Sequence, residues 1–343
     1  MRDKNRGYEA IPLIFLLSAL LLTAVFTHSY MLLRIPVSAK STTRLITIKP
    51  GWGLRRIGQV LQQEGLVPSA ELFTVVARLR GAKIIAGEYL LNRALTPLQI
   101  LNVLQQGKAY LYKVTIPEGF TVRQISQLLS NRGLAENGQF FTIVNSPAWA
   151  KTLLRLDINS LEGYLFPDTY YFAKGVPVEN IILAMVERFK QVFDEEQQRQ
   201  ALKSGLSPHE IITLASLIEK ETAVDAERPL ISAVYHNRLK QGIRLQCDPT
   251  VIYALELLNQ YDGNLSRDDL LLDSPYNTYY YKGLPPGPIA NPGEDSILAA
   301  LNPAEEDYIY FVSRNDGTHQ FSRSLDEHNL AVNHYQRQSF DSQ

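Results

Sequence analysis

The chain of 343 residues is 45% hydrophobic and 20% charged, an ordinary globular composition with room for about two folded units. Its 34 Lys and Arg against 35 Asp and Glu give a net charge of -1, which excludes a protein held on nucleic acid or anionic lipid by overall charge. A single cysteine, Cys247, excludes an intramolecular disulfide framework and a cysteine-rich zinc site.

Residues 11–33 (IPLIFLLSALLLTAVFTHSYMLL) hold no charge and reach the roughly 20 residues that an α-helix needs to cross a bilayer. The run is long for the apolar core of a cleaved leader, and no small-x-small site follows it before Arg34. Arg2, Lys4 and Arg6 precede it, and the positive-inside bias keeps such a tail, residues 1–10, in the cytoplasm. The chain from Arg34 onward is then expected in a periplasm or cell-wall space, where a lone Cys247 stays an unpaired, packed thiol.

Residues 34–43 are short, polar and proline-bearing, and read as a linker. Ile46, Thr47, Ile48 and Lys49 then alternate as in a strand, and Pro50-Gly51 turns into Leu54, Ile57, Val60 and Leu61 at helical spacing, closed by Gly65. The pattern returns at Val114, Ile116 and Pro117, followed by Val122, Ile125, Leu128, Leu129 and Gly133. Gly51 and Gly119, Arg55 and Arg123, and Gln59 and Gln127 pair at one constant offset. Between the copies the spacing predicts a helix over 70–79, a strand over 87–91 and a helix opened by Thr96-Pro97 and running to Gln105. This strand–helix–helix–strand unit, residues 44–110, resembles the LysM-type modules that bind glycan strands. A spacer between membrane and catalytic part fits the same pattern. Whether residues 111–146 belong to this unit or to the next is open at this level.

From Asn159 onward the chain turns aromatic and proline-rich, with GYLFPDTYYF at 163–172, YNTYYY at 276–281 and GLPPGP at 283–288. Alternating aromatic and polar residues suit strands with one wet face, and tyrosines beside amides and hydroxyls suit sugar rings. The proline–glycine run is expected to form a rigid loop. Ser207-Pro208-His209-Glu210 opens a helix, with Ser207 as cap, Pro208 in first position and Glu210 completing a capping box. That helix carries Glu219, Lys220 and Glu221. Leu214, Leu217 and Ile218 place Glu221 at the border of an apolar stripe. A carboxyl there, in an apolar cleft, keeps its proton to higher pH, as a general acid requires. Glu219 borders the opposite edge, and spacing barely separates the two from each other or from solvated surface charges. Residues two apart on a helix do not face each other, so a two-carboxylate glycosidase needs its second acid elsewhere, at Asp168, Asp248 or Glu162. The 6 histidines form no His-Glu-x-x-His pattern and read as surface or packing residues; no metal and no cofactor are expected.

The stretch LASLIEKET at 214–222 continues through Glu227-Arg228, Asn237-Arg238-Leu239, Arg244-Leu245-Gln246 and Asp248-Pro249-Thr250-Val251-Ile252-Tyr253. Together with the 162–169 segment, Tyr276-Asn277-Thr278-Tyr279, GLPPGPIANPG at 283–293, Tyr310-Phe311-Val312 and Glu327-His328-Asn329, it closely resembles the endolytic murein transglycosylases of the YceG-like family. The resemblance covers nearly the whole chain. It implies an α+β protein with a single N-terminal transmembrane helix, a small LysM-like α+β module, and a mixed α+β catalytic domain over residues 111–343.

The resemblance also implies a bacterial inner-membrane lyase that cuts the MurNAc-β-1,4-GlcNAc bond inside nascent peptidoglycan strands and so influences strand length. The muramyl C6 hydroxyl attacks its own anomeric carbon and leaves a 1,6-anhydro end. The family's catalytic glutamate falls on Glu221. One carboxyl suffices for this chemistry, because the internal nucleophile has a high effective concentration. Gln246, Asp248, Thr250, Tyr253, Tyr276 and Asn277 are the candidates for holding the sugars and their N-acetyl groups. Cys247 stands where a small hydroxyl residue is expected. The implied partners are peptidoglycan strands, peptidoglycan synthases and the division and elongation machinery, with no nucleic acid. A hydrolytic muramidase and a non-enzymatic glycan-binding scaffold are the rival readings.

Overall fold

The structure, a computed structural model, describes residues 10–136 and 138–337. The cationic positions Arg2, Lys4 and Arg6 lie outside them. The chain divides into two compact units, one running to Tyr112 and taking in residues 173–175, the other comprising 113–172 and the chain from Val176.

Helix α1 (Ala10–Arg34) opens the first unit. Its Ile14–Arg34 span is long and apolar enough to cross a membrane, and its large apolar side chains are exposed. Ser18, Thr23 and Thr27 return their hydroxyls to carbonyls one turn back, at 2.7, 2.8 and 2.9 Å, so these polar groups need no water. Strands β1 (Thr43–Ile48) and β2 (Gly87–Asn92) pair antiparallel, with Thr43 opposite Asn92 and Ile48 opposite Gly87. Alternate residues of the ribbon, Ile46 and Ile48 with Tyr89 and Leu91, share one core with α2 (Leu54–Gln63), α3 (Ala70–Leu79) and α4 (Pro97–Gln105). Leu61 and Leu104 are fully buried there, and truncation of either to Ala costs about 2–5 kcal/mol. Ser69 caps α3 and a Thr96–Gln99 capping box starts α4, the boundaries expected from sequence.

The second copy of the sequence repeat opens the second unit rather than extending the first. Strand β3 (Leu111–Thr115) leads into α5 (Val122–Asn131), followed by α6 (Gln139–Val144), α7 (Pro147–Leu154) and β4 (Thr169–Ala173), which pairs with β3. Then come α8 (Val178–Val192), α9 (Glu195–Lys203), α10 (Pro208–Glu221), α11 (Arg228–Gln241), α12 (Asp248–Leu257), α13 (Glu294–Leu301), the antiparallel hairpin β5 (Tyr310–Ser313) and β6 (His319–Ser322), and α14 (Leu325–Val332). This unit is mainly helical, with less strand than the aromatic patterning suggests. Only the end of the first aromatic cluster becomes a strand, β4. The second, 276–281, forms turns because Asn277 satisfies the backbone locally: its carbonyl oxygen accepts from the Tyr279 N–H at 2.9 Å, and its amide donates to the Leu270 and Leu272 carbonyls at 3.0 and 2.8 Å.

Helix α10 is the axis of the second unit. Ser207 and Glu210 form the expected capping box. The expected apolar stripe is replaced by burial all round: every residue from Ile211 to Ile218 is buried, against α9, α11, α12 and α13. The 283–293 loop runs along this helix, held by the Ser216 hydroxyl, which accepts from the Ile289 N–H at 3.0 Å. At Gly163, where φ is 87°, a Cβ would strike the Pro288 ring, so only glycine lets the two segments meet.

Candidate active site

The end of α10 presents two carboxylates that share a helix and little else. Glu219 is held at the start of α13. One of its oxygens accepts from the Gly293 N–H at 3.0 Å and the Ser296 hydroxyl at 2.7 Å, and the other stands 3.9 Å from Arg228. The Glu118 carboxylate packs against the Gly293 Cα, where a Cβ would displace it. Glu221 instead lines a cleft of about 610 Å3. Its Oε1 accepts from the Tyr235 hydroxyl at 2.6 Å. Burial pushes its carboxyl above the ordinary range; donation from the Cys247 thiol and Tyr235 offsets part of the rise, and the Asp248 charge adds to it. A carboxyl that holds its proton toward neutral pH at the wall of a cleft is equipped as a general acid.

Of the six residues singled out for substrate binding, two share this cleft with Glu221. Gln246 and Asp248 line it. Gln246 adopts φ 50°, a left-handed conformation that costs a non-glycine residue about 1–3 kcal/mol, and its N–H is anchored on the Thr278 carbonyl at 3.2 Å. Asp248 accepts a short hydrogen bond from Tyr279, which also lines the cleft.

The other four line no part of it. Thr250 is fully buried, donating to the Cys247 carbonyl at 2.6 Å and lying 2.9 Å from the Thr278 hydroxyl. Asn277 is fully buried in the turn described above. Tyr253 packs on Tyr276 and donates to Glu162 at 3.4 Å. These side chains staple the 270–280 loop to the start of α12, and so place Tyr279 against Asp248. Cys247, between them, is 1% exposed and its thiol pKa is raised well above the ordinary value by burial and the neighbouring Glu221.

Among the proposed second carboxylates, only Asp248 shares the cleft. Glu162 is buried at the start of α5: both its oxygens accept from the Val122 N–H, at 3.0 and 3.1 Å, and one accepts from the Asn291 amide at 2.9 Å. Burial, only partly offset by those donors, raises its pKa to about 8. Asp168 is ion-paired with Arg188 at 2.8 Å; burial raises its pKa, but the Thr169 N–H and Arg188 outweigh it and the net shift is down.

The rest of the cleft wall comes from α11, the terminal hairpin, α14 and Gln336, where spacing pointed to no chemistry. Tyr235 is buried inside α11. Arg238 donates to the Ile309 and Leu245 carbonyls, both at 2.7 Å, which ties the hairpin and the Gln246 turn to α11. His319 and His328, read from sequence as surface or packing residues, also line the cleft. Glu227 accepts from the His319 backbone N–H at 2.8 Å and lies 2.7 Å from its Nδ1. The ring of Tyr310 stacks on His328 with centroids 5.0 Å apart. The only sequence signal for this wall was the motif likeness at 237–239, 310–312 and 327–329, because its members are scattered over the chain.

A mainly helical unit thus sets a carboxyl of raised pKa, Glu221, against a cleft lined by Tyr279, Tyr310 and Phe311. The model of the YceG-like family matches residues 46–334, and the chain belongs to that family. It is 33% identical over 332 residues to the endolytic murein transglycosylase of Bacillus subtilis, covering 92% of this chain and 91% of that protein. It is 31% identical over 359 residues to the endolytic murein transglycosylase of Streptococcus pneumoniae, covering 94% of this chain and 65% of that one. A crystal structure of a YceG-like protein from Listeria monocytogenes superposes with a TM-score of 0.58 at 33% identity, over 85% of this chain and 99% of that one.

Proposed function

We propose that this protein is a membrane-anchored endolytic murein transglycosylase, a lyase with Glu221 as its acid and base. The observation that carries the reading is Glu221 itself, its pKa raised by burial, oriented by Tyr235 and facing an aromatic cleft. The names of the relatives support the substrate, peptidoglycan. In the reaction, the Glu221 carboxylic acid gives its proton to the glycosidic oxygen as the bond to the muramyl anomeric carbon breaks. The C6 hydroxyl of the same sugar then bonds to that carbon and yields its proton to the Glu221 carboxylate. The products are a 1,6-anhydromuramyl end and a free GlcNAc hydroxyl, and the enzyme recovers its acid. The aromatic wall at Tyr279 and Phe311 offers ring surface for the sugars, while Gln246 and Asp248 offer partners for their hydroxyl and N-acetyl groups. Thr250, Tyr253, Tyr276 and Asn277 serve by holding that wall in place. The exposed α1 supports a single-pass anchor with a cytoplasmic N-terminus and a periplasmic body, and the strand–helix–helix–strand unit a LysM-like role on glycan.

Asp248 in the same cleft favours a second reading, a muramidase in which a carboxylate activates water. Mass spectrometry of fragments released from un-crosslinked strands by the detergent-solubilised full chain separates the two. Internal fragments with 1,6-anhydro ends, absent with Glu221→Gln, are expected. Reducing ends that vanish with Asp248→Asn overturn the lyase in favour of the hydrolase, and release that survives Glu221→Gln overturns both.

A further inference from the structure

Glu221 borders a second cavity, of about 580 Å3, whose other walls include Glu118, Glu219, Lys220, Asp225 and Arg228. None of its lining residues is aromatic, so it offers no face for a sugar ring. It offers charge. Arg228 is 5% exposed, yet its guanidinium makes one hydrogen bond, from Nη1 to the Thr222 carbonyl at 3.4 Å. Its Nη2 stands 3.9 Å from Glu219 and 3.5 Å from Asp225, and its Nε, buried, has no partner. A buried guanidinium with most of its donors unused is costly, and a carboxylate offers the bidentate acceptor it lacks. Glu118 and Asp225 are exposed, and Asp225, though ion-paired with Arg228 at 3.5 Å, stays open to solvent on its other side. The cavity therefore fits a ligand that carries a carboxylate and an amine together, and not a neutral sugar.

Resting on the reading above, we propose that this cavity takes the peptide stem of the muramyl residue whose anomeric carbon lies at Glu221, with Arg228 on a stem carboxylate and Glu118 and Asp225 on a stem amine. The stem leaves the sugar at O3, on the same six-membered ring as the reacting carbon, so it emerges within one ring of Glu221, where the cavity begins. The enzyme thereby distinguishes strands that carry peptides from strands already stripped of them.

The test gives the detergent-solubilised full chain two un-crosslinked substrates, strands bearing stems and the same strands stripped by an amidase, and compares initial rates of strand cleavage. The stem-bearing strands are expected to be cut about tenfold faster, about 1.4 kcal/mol of transition-state preference. The double variant Glu118→Gln with Asp225→Asn, both at exposed positions, should bring that ratio close to one, and Arg228→Lys, which keeps charge but loses the fork, should lower it. Equal rates on the two substrates with the unaltered protein overturn the proposal, as does a variant that slows both substrates in proportion. Cleavage of either substrate that is lost with Glu221→Gln leaves the transglycosylase reading standing in those cases. No cleavage of either overturns that reading and this one with it.

Discussion

Glu219 and Glu221 stand two residues apart on α10, yet the first carries the Gly293 N–H, the Ser296 hydroxyl and a nearby Arg228, while the second faces a cleft with one short hydrogen bond from Tyr235. One carboxyl is fixed against the start of α13; the other faces the cleft. Their variants should separate accordingly. Glu221→Gln should cut strand cleavage by about 10²- to 10⁴-fold with little change in thermal midpoint. Glu219→Gln should lower unfolding free energy by about 1–3 kcal/mol, since it disturbs the hydrogen bonds from the Gly293 N–H and the Ser296 hydroxyl, and should retain most of the cleavage rate at temperatures where it stays folded. Denaturant titration and fragment release on the same preparations check both.

With Glu221 as the proposed acid, Tyr235 should set the alkaline limb of the pH profile. Its hydroxyl stabilises the ionised form of Glu221 and so holds down a pKa that burial raises. Tyr235→Phe removes that donor, and the Glu221 pKa rises further. Because the acid form is the active one, activity is lost as pH rises through this pKa, and the limb should move to higher pH while the maximal rate falls. A limb that stays in place or moves down contradicts the assignment of Glu221 as the titrating acid.

Glu162 makes stability depend on pH. Its folded-state pKa is raised to about 8 from an ordinary 4.5, so the folded chain favours the protonated form. Its contribution is therefore complete below about pH 4.5 and is lost progressively as pH rises toward about 8, because the unfolded chain ionises first. The stability difference between the parent and Glu162→Gln should shift against the parent across that window. Chemical denaturation at several pH values reads it, and a flat difference sinks the account.

Cys247 should be silent chemically. It is 1% exposed, and burial beside Glu221 raises its thiol pKa well above the ordinary value, so it is neither accessible nor a thiolate. A thiol reagent should label it only after denaturation. Cys247→Ser keeps a hydrogen-bond donor of similar size beside Glu221 and should retain activity within a few-fold, whereas Cys247→Ala should raise the Glu221 pKa by removing a donor.

Much of this protein was legible in the chain because it is local. The apolar run of α1, the strand–helix repeat, the Ser207–Glu210 capping box and the boundaries of α3 and α4 follow from patterns a few residues long, where hydrophobic period and capping chemistry act directly. Motif likeness pointed to Glu221 on α10 as the catalytic glutamate proposed here, but periodicity did not choose between Glu219 and Glu221. That choice belongs to tertiary structure: α10 is buried on all sides, so no stripe marks either residue, and what separates them is which distant donors reach them, Gly293 and Ser296 for one, Tyr235 for the other. The same holds for the polar residues of the motifs. Thr250 and Asn277 look like sugar ligands in sequence because threonine and asparagine make the same hydrogen bonds to a carbohydrate as to a backbone; packing turned theirs inward. Gln246, Asp248, Tyr279 and His319 come together from three separate segments. Sequence supplies the residues that do chemistry, and long-range burial decides which of them face the cleft, because a pKa and an exposure are set by neighbours that no local pattern records.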